Sequence, residues 1–360
     1  MKLGLLMPTV HSIALNEMAL RGAEALGVDD VWVLDHMMGL THPALWSEFP
    51  AASALPDPDA FLDPFCVAAA LGGGTDLRFG LSVTDAVRRA GPDLARAALT
   101  VNDACRGGFV LGLGSGEAES LVPYGYDYRR PVDRLEAALR DIRSLLDTGN
   151  MPTGSGRIGL DRSGPKGVPE VWVAAKMPRM LELTGRYADG WLPLPSPPEE
   201  YAAQYQAVCA AAERAGRPAP TASMVPAVIF GDSRDSVLGV LEDVPVVKLI
   251  AYYLPAYVWD RYGVEHPGGP NCRGQIDLIP HDLDPKALRE TAKRIPVELV
   301  EELAWFGNAD EIAARLKPYA EVGLEHIVLG DVTGTTYAPE ETARVLGGQL
   351  PRLVELMHAL

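Results

Sequence analysis

Asp30-Val31-Trp32-Val33-Leu34-Asp35-His36 is the stretch on which the reading of this chain turns. A short apolar block that closes on a charged pair predicts a buried strand delivering reactive side chains from its carboxyl end. Blocks of the same kind recur on either side of it. Leu3 to Met7 precedes it, joined through an amphipathic helix from Ser12 to Leu26 that ends at Gly27. After it come Arg78 to Val83, Phe109 to Gly114, Glu170 to Ala175, Asp189 to Leu194, Ser223 to Phe230 and Glu325 to Leu329. Helical segments lie between them: Pro64 to Leu71, Pro92 to Cys105, Pro131 to Leu146, Pro178 to Tyr187, Pro197 to Ala215, Asn308 to Val322 and a closing segment from Pro339. This alternation predicts an α/β protein, a single-domain (β/α)8 TIM barrel over residues 1–360. A doubly wound sheet is the structural alternative.

Two stretches break the period. Residues 149–168 are glycine-rich and suggest a surface insertion that could act as a lid, and residues 245–305 form a second insertion rich in proline, tyrosine and tryptophan. The cluster Tyr252, Tyr253, Tyr257, Trp259 and Tyr262 within it could wall an apolar pocket or simply pack as a helix face.

Bulk composition narrows the function. The net charge of -16 argues against a broad nucleic-acid interface, which needs a basic patch. No segment approaches the roughly 20 consecutive apolar residues that span a bilayer, so no stable membrane insertion is expected. Cys66, Cys105, Cys209 and Cys272 lack zinc-type spacing and suit reduced thiols in a cytoplasmic protein. His11, His42, His266, His281, His326 and His358 show no spacing that would build a metal site, and no metal is expected. A small-molecule substrate and one local phosphate site remain open.

In a (β/α)8 barrel the chemistry is built where strands end. Those ends carry Asp35 and His36, Ser82 to Asp85, Ser115 to Glu117, Lys176 and Asp331. Imidazole titrates near neutral pH and suits proton transfer, yet Asp35 could equally cap a turn while His36 fills space. Glu117 follows Gly112-Leu-Gly-Ser-Gly116, where small residues let the backbone approach a ligand; it could also be one solvated acid among 48. The glycines do not make a dinucleotide fingerprint, because Glu117 stands where the next small residue is required. Lys176 and Arg179 flank Pro178 at a helix start, a place that favours phosphate or merely holds two surface cations.

Five motifs in order then resemble the luciferase-like superfamily, and within it the oxidoreductases that use coenzyme F420, a 5-deazaflavin. They are Val31 to His36, Phe79 to Thr84, Leu113 to Ala118, Val173 to Pro178 with Ala188 to Trp191, and Phe306 to Glu311 followed by His326 to Leu329. The resemblance covers most of the chain. It implies that Asp35 bonds the deazaflavin ring, that His36 sits beside the reactive carbon, and that Ser82-Val83 is a cis peptide behind the ring. It implies cofactor contacts from Thr84, Asp85, Ser115, Gly116 and Ser120, and from Ala174, Ala175, Lys176, Met177, Arg179 and Met180 near the phosphate. Glu117 matches a second catalytic residue.

The pattern departs from the sugar-phosphate dehydrogenases of that branch, because Met37-Met38-Gly39-Leu40 replaces their tryptophan. Asp85 and Ser120 also differ from the usual residues. The loop and the proline-rich insertion look more like the ketoreductases of long lipid ketones such as phthiodiolones. The resemblance therefore implies hydride transfer between F420 and an apolar alcohol or ketone. An FMN-dependent monooxygenase and a non-catalytic flavin-binding barrel are the rival expectations, and relatives of this kind are often homodimers.

Overall fold

A computed structural model describes all 360 residues. Its strands, in chain order, are β1 (Lys2–Leu6), β2 (Asp30–Val33), β3 (Arg78–Leu81), β4 (Thr84–Asp85), β5 (Phe109–Gly114), β6 (Glu170–Val173), β7 (Gly190–Trp191), β8 (Thr221–Met224), β9 (Ala227–Phe230), β10 (Ala304–Gly307) and β11 (His326–Asp331). Every pairing is parallel. The order β1-β2-β3-β5-β6-β7-β8-β11 closes on itself through β1–β11 pairing, which makes an eight-stranded TIM barrel with helices outside.

The barrel interior is filled by two tryptophans set opposite two glycines. Trp32 on β2 is in register with Gly80 on β3, and Trp172 on β6 with Gly190 on β7. A Cβ at Gly80 would lie 2.4 Å from the Trp32 ring, and one at Gly190 2.3 Å from Trp172, so each indole occupies the space its neighbour gives up. The two indoles meet at 5.2 Å between ring centroids. Below them, at the amino end of the barrel, buried Asp30 accepts from Trp32 Nε1 at 2.6 Å and pairs with His326 and Arg78, each at 3.1 Å.

The structure corrects several expectations. The seventh strand is interrupted after Met224, and Pro226, which has no N–H to give to a ladder, separates β8 from β9. β9 still pairs with β11 and takes β10 on its other edge, a strand the sequence pattern does not show because Ala304-Trp-Phe-Gly307 falls between the insertion and the following helix. The glycine-rich stretch 149–168 is not a lid over the strand ends. It joins the helix Pro131–Thr148 to the start of β6, at the amino end of the barrel, and Lys166 anchors it to the carbonyls of Asp103 and Cys105.

The insertion that does reach the carboxyl end is the segment before β10. With β9, β10 and the loop residues Leu45, Trp46 and Phe49 it builds its own core of 24 buried residues, separate from the 55-residue core between barrel and helices. The aromatic cluster divides accordingly: Tyr252 and Trp259 are buried in this second core, while Tyr257 is exposed.

Candidate active site

β2 ends by presenting His36 to the barrel mouth, and β5 answers with two carboxylates on the turn that follows it. His36 Nδ1 lies 2.8 Å from Glu119 Oε1 and 4.0 Å from Glu117 Oε2. The His36 side chain is 11% exposed, Glu119 0% and Glu117 27%, so the group is a sunken site with one open side. Glu119 was not among the residues expected from sequence. It stands on the single helical turn Ala118–Leu121, whose next residue, Ser120, accepts from Met37 N at 3.2 Å. Ser120 thus grips the backbone beside His36, a role different from the cofactor contact expected of it.

Burial opposes charge on the imidazole, but the hydrogen bond to Glu119 and the negative field of Glu119, Glu117 and Asp35 outweigh it and push His36 up to about 9. Glu117 moves upward as well, because burial and the neighbouring Glu119 carboxylate disfavour a second negative charge more than His36 favours it. Both groups are thus biased toward their protonated forms. The three ligand atoms lie within 4.8 Å of one another, close enough for a divalent cation. A cation there would compete with the protons that His36 and Glu117 are biased to hold.

Asp35 does not stand free beside His36. Arg88 Nη2 is 3.0 Å from Asp35 Oδ2 and also donates to the Asp35 carbonyl at 3.0 Å, while Arg88 Nε donates to Asp85 Oδ2 at 2.5 Å. Asp85 Oδ1 accepts from the backbone N–H of Val87 and Arg88, closing a tight loop after β4. One buried guanidinium, absent from the sequence-based set, thus clamps two of the expected cofactor residues. The Ser82–Val83 peptide between β3 and β4 is cis, as the resemblance implied. Thr84 lies beside it, its Oγ1 buried without a hydrogen-bond partner.

The expected phosphate end is less simply arranged. Arg179 turns away to Asp133 (2.5 Å) and Glu136 (2.9 Å), because the helix Pro131–Thr148 presents two acids within its reach. Met180 is buried in the barrel–helix core. Lys176 remains half-exposed, 4.0 Å from Glu200, and Met177 is 65% exposed. Ala175 supports the wall by accepting from Trp191 Nε1, and Ala174 N donates to Leu113 O. The helix Pro178–Tyr187 has no side-chain cap, so its first N–H groups are free of side-chain partners beside Lys176. Ser115 is half-buried and the Gly116 carbonyl accepts from Tyr128 OH at 2.5 Å.

The insertion closes the fourth side. Gln275 Nε2 donates to Glu117 Oε1 at 2.7 Å, across 158 positions of chain. Tyr252 and Tyr253 both donate through their hydroxyls to the carbonyl of Leu40, just beyond the Asp35-His36 pair. Gln275 could not be found from sequence, since the insertion has no periodicity that would place it.

Residues 1–326 match the family described as luciferase-like monooxygenase. The chain belongs to that family. Among relatives of this luciferase-like barrel is the phthiodiolone/phenolphthiodiolone dimycocerosates ketoreductase of Mycobacterium tuberculosis, 37% identical over 328 residues, which cover 86% of each chain. An F420-dependent secondary alcohol dehydrogenase, solved in complex with an F420–acetone adduct, superposes with a TM-score of 0.69 at 16% identity, covering 98% of both chains. An EDTA monooxygenase from Chelativorans sp. superposes at 0.68 and 13% identity over 100% of this chain and 94% of its own. Both confirm the barrel. This luciferase-like protein is an enzyme of the oxidoreductase class.

Proposed function

We propose that this enzyme transfers a hydride between coenzyme F420 and an apolar ketone or secondary alcohol. The observation that carries the reading is the imidazole of His36, held 2.8 Å from a buried carboxylate at the barrel mouth. The ketoreductase relative supports the ketone, and the alcohol dehydrogenase superposition supports the deazaflavin. Support for the ring end of that cofactor comes from the cis Ser82–Val83 link, the unpartnered Thr84 Oγ1 and the raised Glu117 carboxyl, which lie on or after the adjoining strands β3, β4 and β5. The residues fit its phosphate end through Lys176 and the uncapped helix, without Arg179.

When bound, reduced F420 supplies a hydride to a carbonyl carbon. His36 supplies the proton to the carbonyl oxygen from Nε2, since Nδ1 is engaged by Glu119. Hydride and proton together convert ketone to alcohol. In the reverse direction neutral His36 takes the hydroxyl proton. Glu117, whose carboxyl is biased toward its protonated form, would hold a proton for the bound cofactor, and Gln275 fixes that carboxyl by donating to Oε1. The insertion covers one side of the mouth through Gln275.

Purified protein titrated with F420 and, separately, with FMN should bind F420 saturably, and ketones should restore the visible band of the oxidised deazaflavin. Tight FMN binding without F420 binding would overturn the reading in favour of an FMN-dependent monooxygenase. Cofactor binding without turnover of any ketone or alcohol would make the protein a flavin-binding barrel.

A further inference from the structure

We infer that Glu119 is the positioning residue of the proton site: its buried carboxylate holds the Nδ1–H of His36 and leaves Nε2 as the nitrogen that exchanges a proton with substrate. This deepens the proposed function and rests on it for the identity of the substrate.

Four observations carry it. Glu119 is the nearer of the two carboxylates, 2.8 Å against 4.0 Å, so it alone bonds the ring. Its turn grips the same segment twice, through Glu119 on the imidazole and Ser120 on the Met37 amide. The Phe61 ring packs against the imidazole at 5.5 Å between centroids and limits its rotation. The Glu119 side chain is fully buried and its Oε2 has no hydrogen-bond partner. A residue serving packing alone would be better apolar at such a place, because a buried carboxylate with an unmatched oxygen is costly. The cost is intelligible if the charge is used to hold and charge an imidazole, as acidic partners do for histidines in other sites.

The charged and titratable groups facing His36 are Glu117 and Glu119 after β5, Asp35 on its own strand, and the Arg88–Asp85 pair after β4. Tyr252 and Tyr253 approach Glu119 from the insertion, as does Tyr124 from the turn after Leu121. Among these only Glu119 bonds the ring; its removal also relieves Glu117, so the readout must be taken on His36 itself.

The test compares wild type with Glu119→Gln and Glu119→Asp. In ¹⁵N-histidine spectra of the protein without cofactor, wild-type His36 should stay doubly protonated through neutral pH, and in Glu119→Gln it should titrate near the ordinary imidazole value. In turnover, Glu119→Gln should lower kcat for ketone reduction at pH 8 about 10- to 100-fold. The alkaline limb of its pH profile should move down, cofactor affinity should stay within a few fold, and Glu119→Asp should recover part of the loss. An unshifted His36 titration in Glu119→Gln would overturn the proposal, as would a rise in KM alone with an unchanged pH limb. If Glu119→Gln does not fold, a wild-type His36 that titrates at the ordinary value, or carries no proton on Nδ1, overturns it equally. Because the spectra need no cofactor, they remain decisive if F420 proves to be the wrong cofactor, and that error would surface only in turnover.

Discussion

His36 and Arg88 are both nearly buried side chains whose neighbours fix their charge, and each yields a measurable consequence. Removing the imidazole by His36→Ala should lower kcat for ketone reduction by roughly 10²–10⁴-fold with cofactor affinity nearly kept, as for loss of a general acid; cofactor titration beside steady-state rates checks this. The wild-type profile follows from the direction of the shift. His36 must be protonated to act as acid, and its folded value is raised to about 9, so the reductive kcat should hold flat through neutral pH and fall as pH rises through about 9. The oxidative direction, which needs the neutral ring, should rise over the same interval. Arg88 presents a different case. It is 7% exposed and faces Asp35 and Asp85, 4% and 5% exposed, so Arg88→Met strands two buried carboxylates. That should cost about 3–5 kcal/mol in denaturant unfolding, the range for breaking a buried ion pair from one side.

The elements show where sequence pattern reports structure and where it stops. Phe109–Gly114 is legible to the residue because an unbroken apolar block between a helix and a glycine turn has one low-energy fate in a parallel barrel. β10 is not, since four residues enclosed between Leu303 and the capping Asn308 carry too little pattern to be told from either neighbour. The site divides in the same way. Asp35, His36 and Glu117 are legible from their place at strand ends, which the barrel makes significant. Glu119 and Arg88 are not, because sequence supplies their charge but neither their burial nor the partner each will face. Within the elements the tryptophan–glycine pairing makes its own demand. Gly80→Ala should destabilise the barrel by about 1–3 kcal/mol, the usual penalty for overfilling a packed interior, since its methyl would meet the Trp32 ring. Thermal melts of Gly80→Ala should show this, with Gly22→Ala, at a helix position where nothing lies within 4 Å, showing no such loss.

At the scale of the whole molecule, a barrel carries the chemistry and a second body with its own core closes over it. The loop after β2 is joined to that body by the apolar packing of Leu45, Trp46 and Phe49 and by polar contacts beside it: Tyr253 to Leu40 O at 2.6 Å, His281 to Asp59 at 2.9 Å, and Arg289 to Glu48 at 2.6 Å. Replacing Tyr252 and Tyr253 together by phenylalanine should therefore loosen the seam without melting either core. Hydrogen exchange should quicken for amides of residues 37–62, and kcat/KM should fall several-fold, with the melting temperature little changed; a large drop in melting temperature would show that the seam supports the fold itself. The insertion supplies most of the second core but shares it with β9, β10 and the loop after β2, and it reaches the proton site through Gln275, alone among its side chains in being hydrogen-bonded to Glu117. Redesigning what enters the mouth through this segment therefore leaves the histidine, the two glutamates and the arginine clamp in place only if the apolar seam with Leu45, Trp46 and Phe49 is kept.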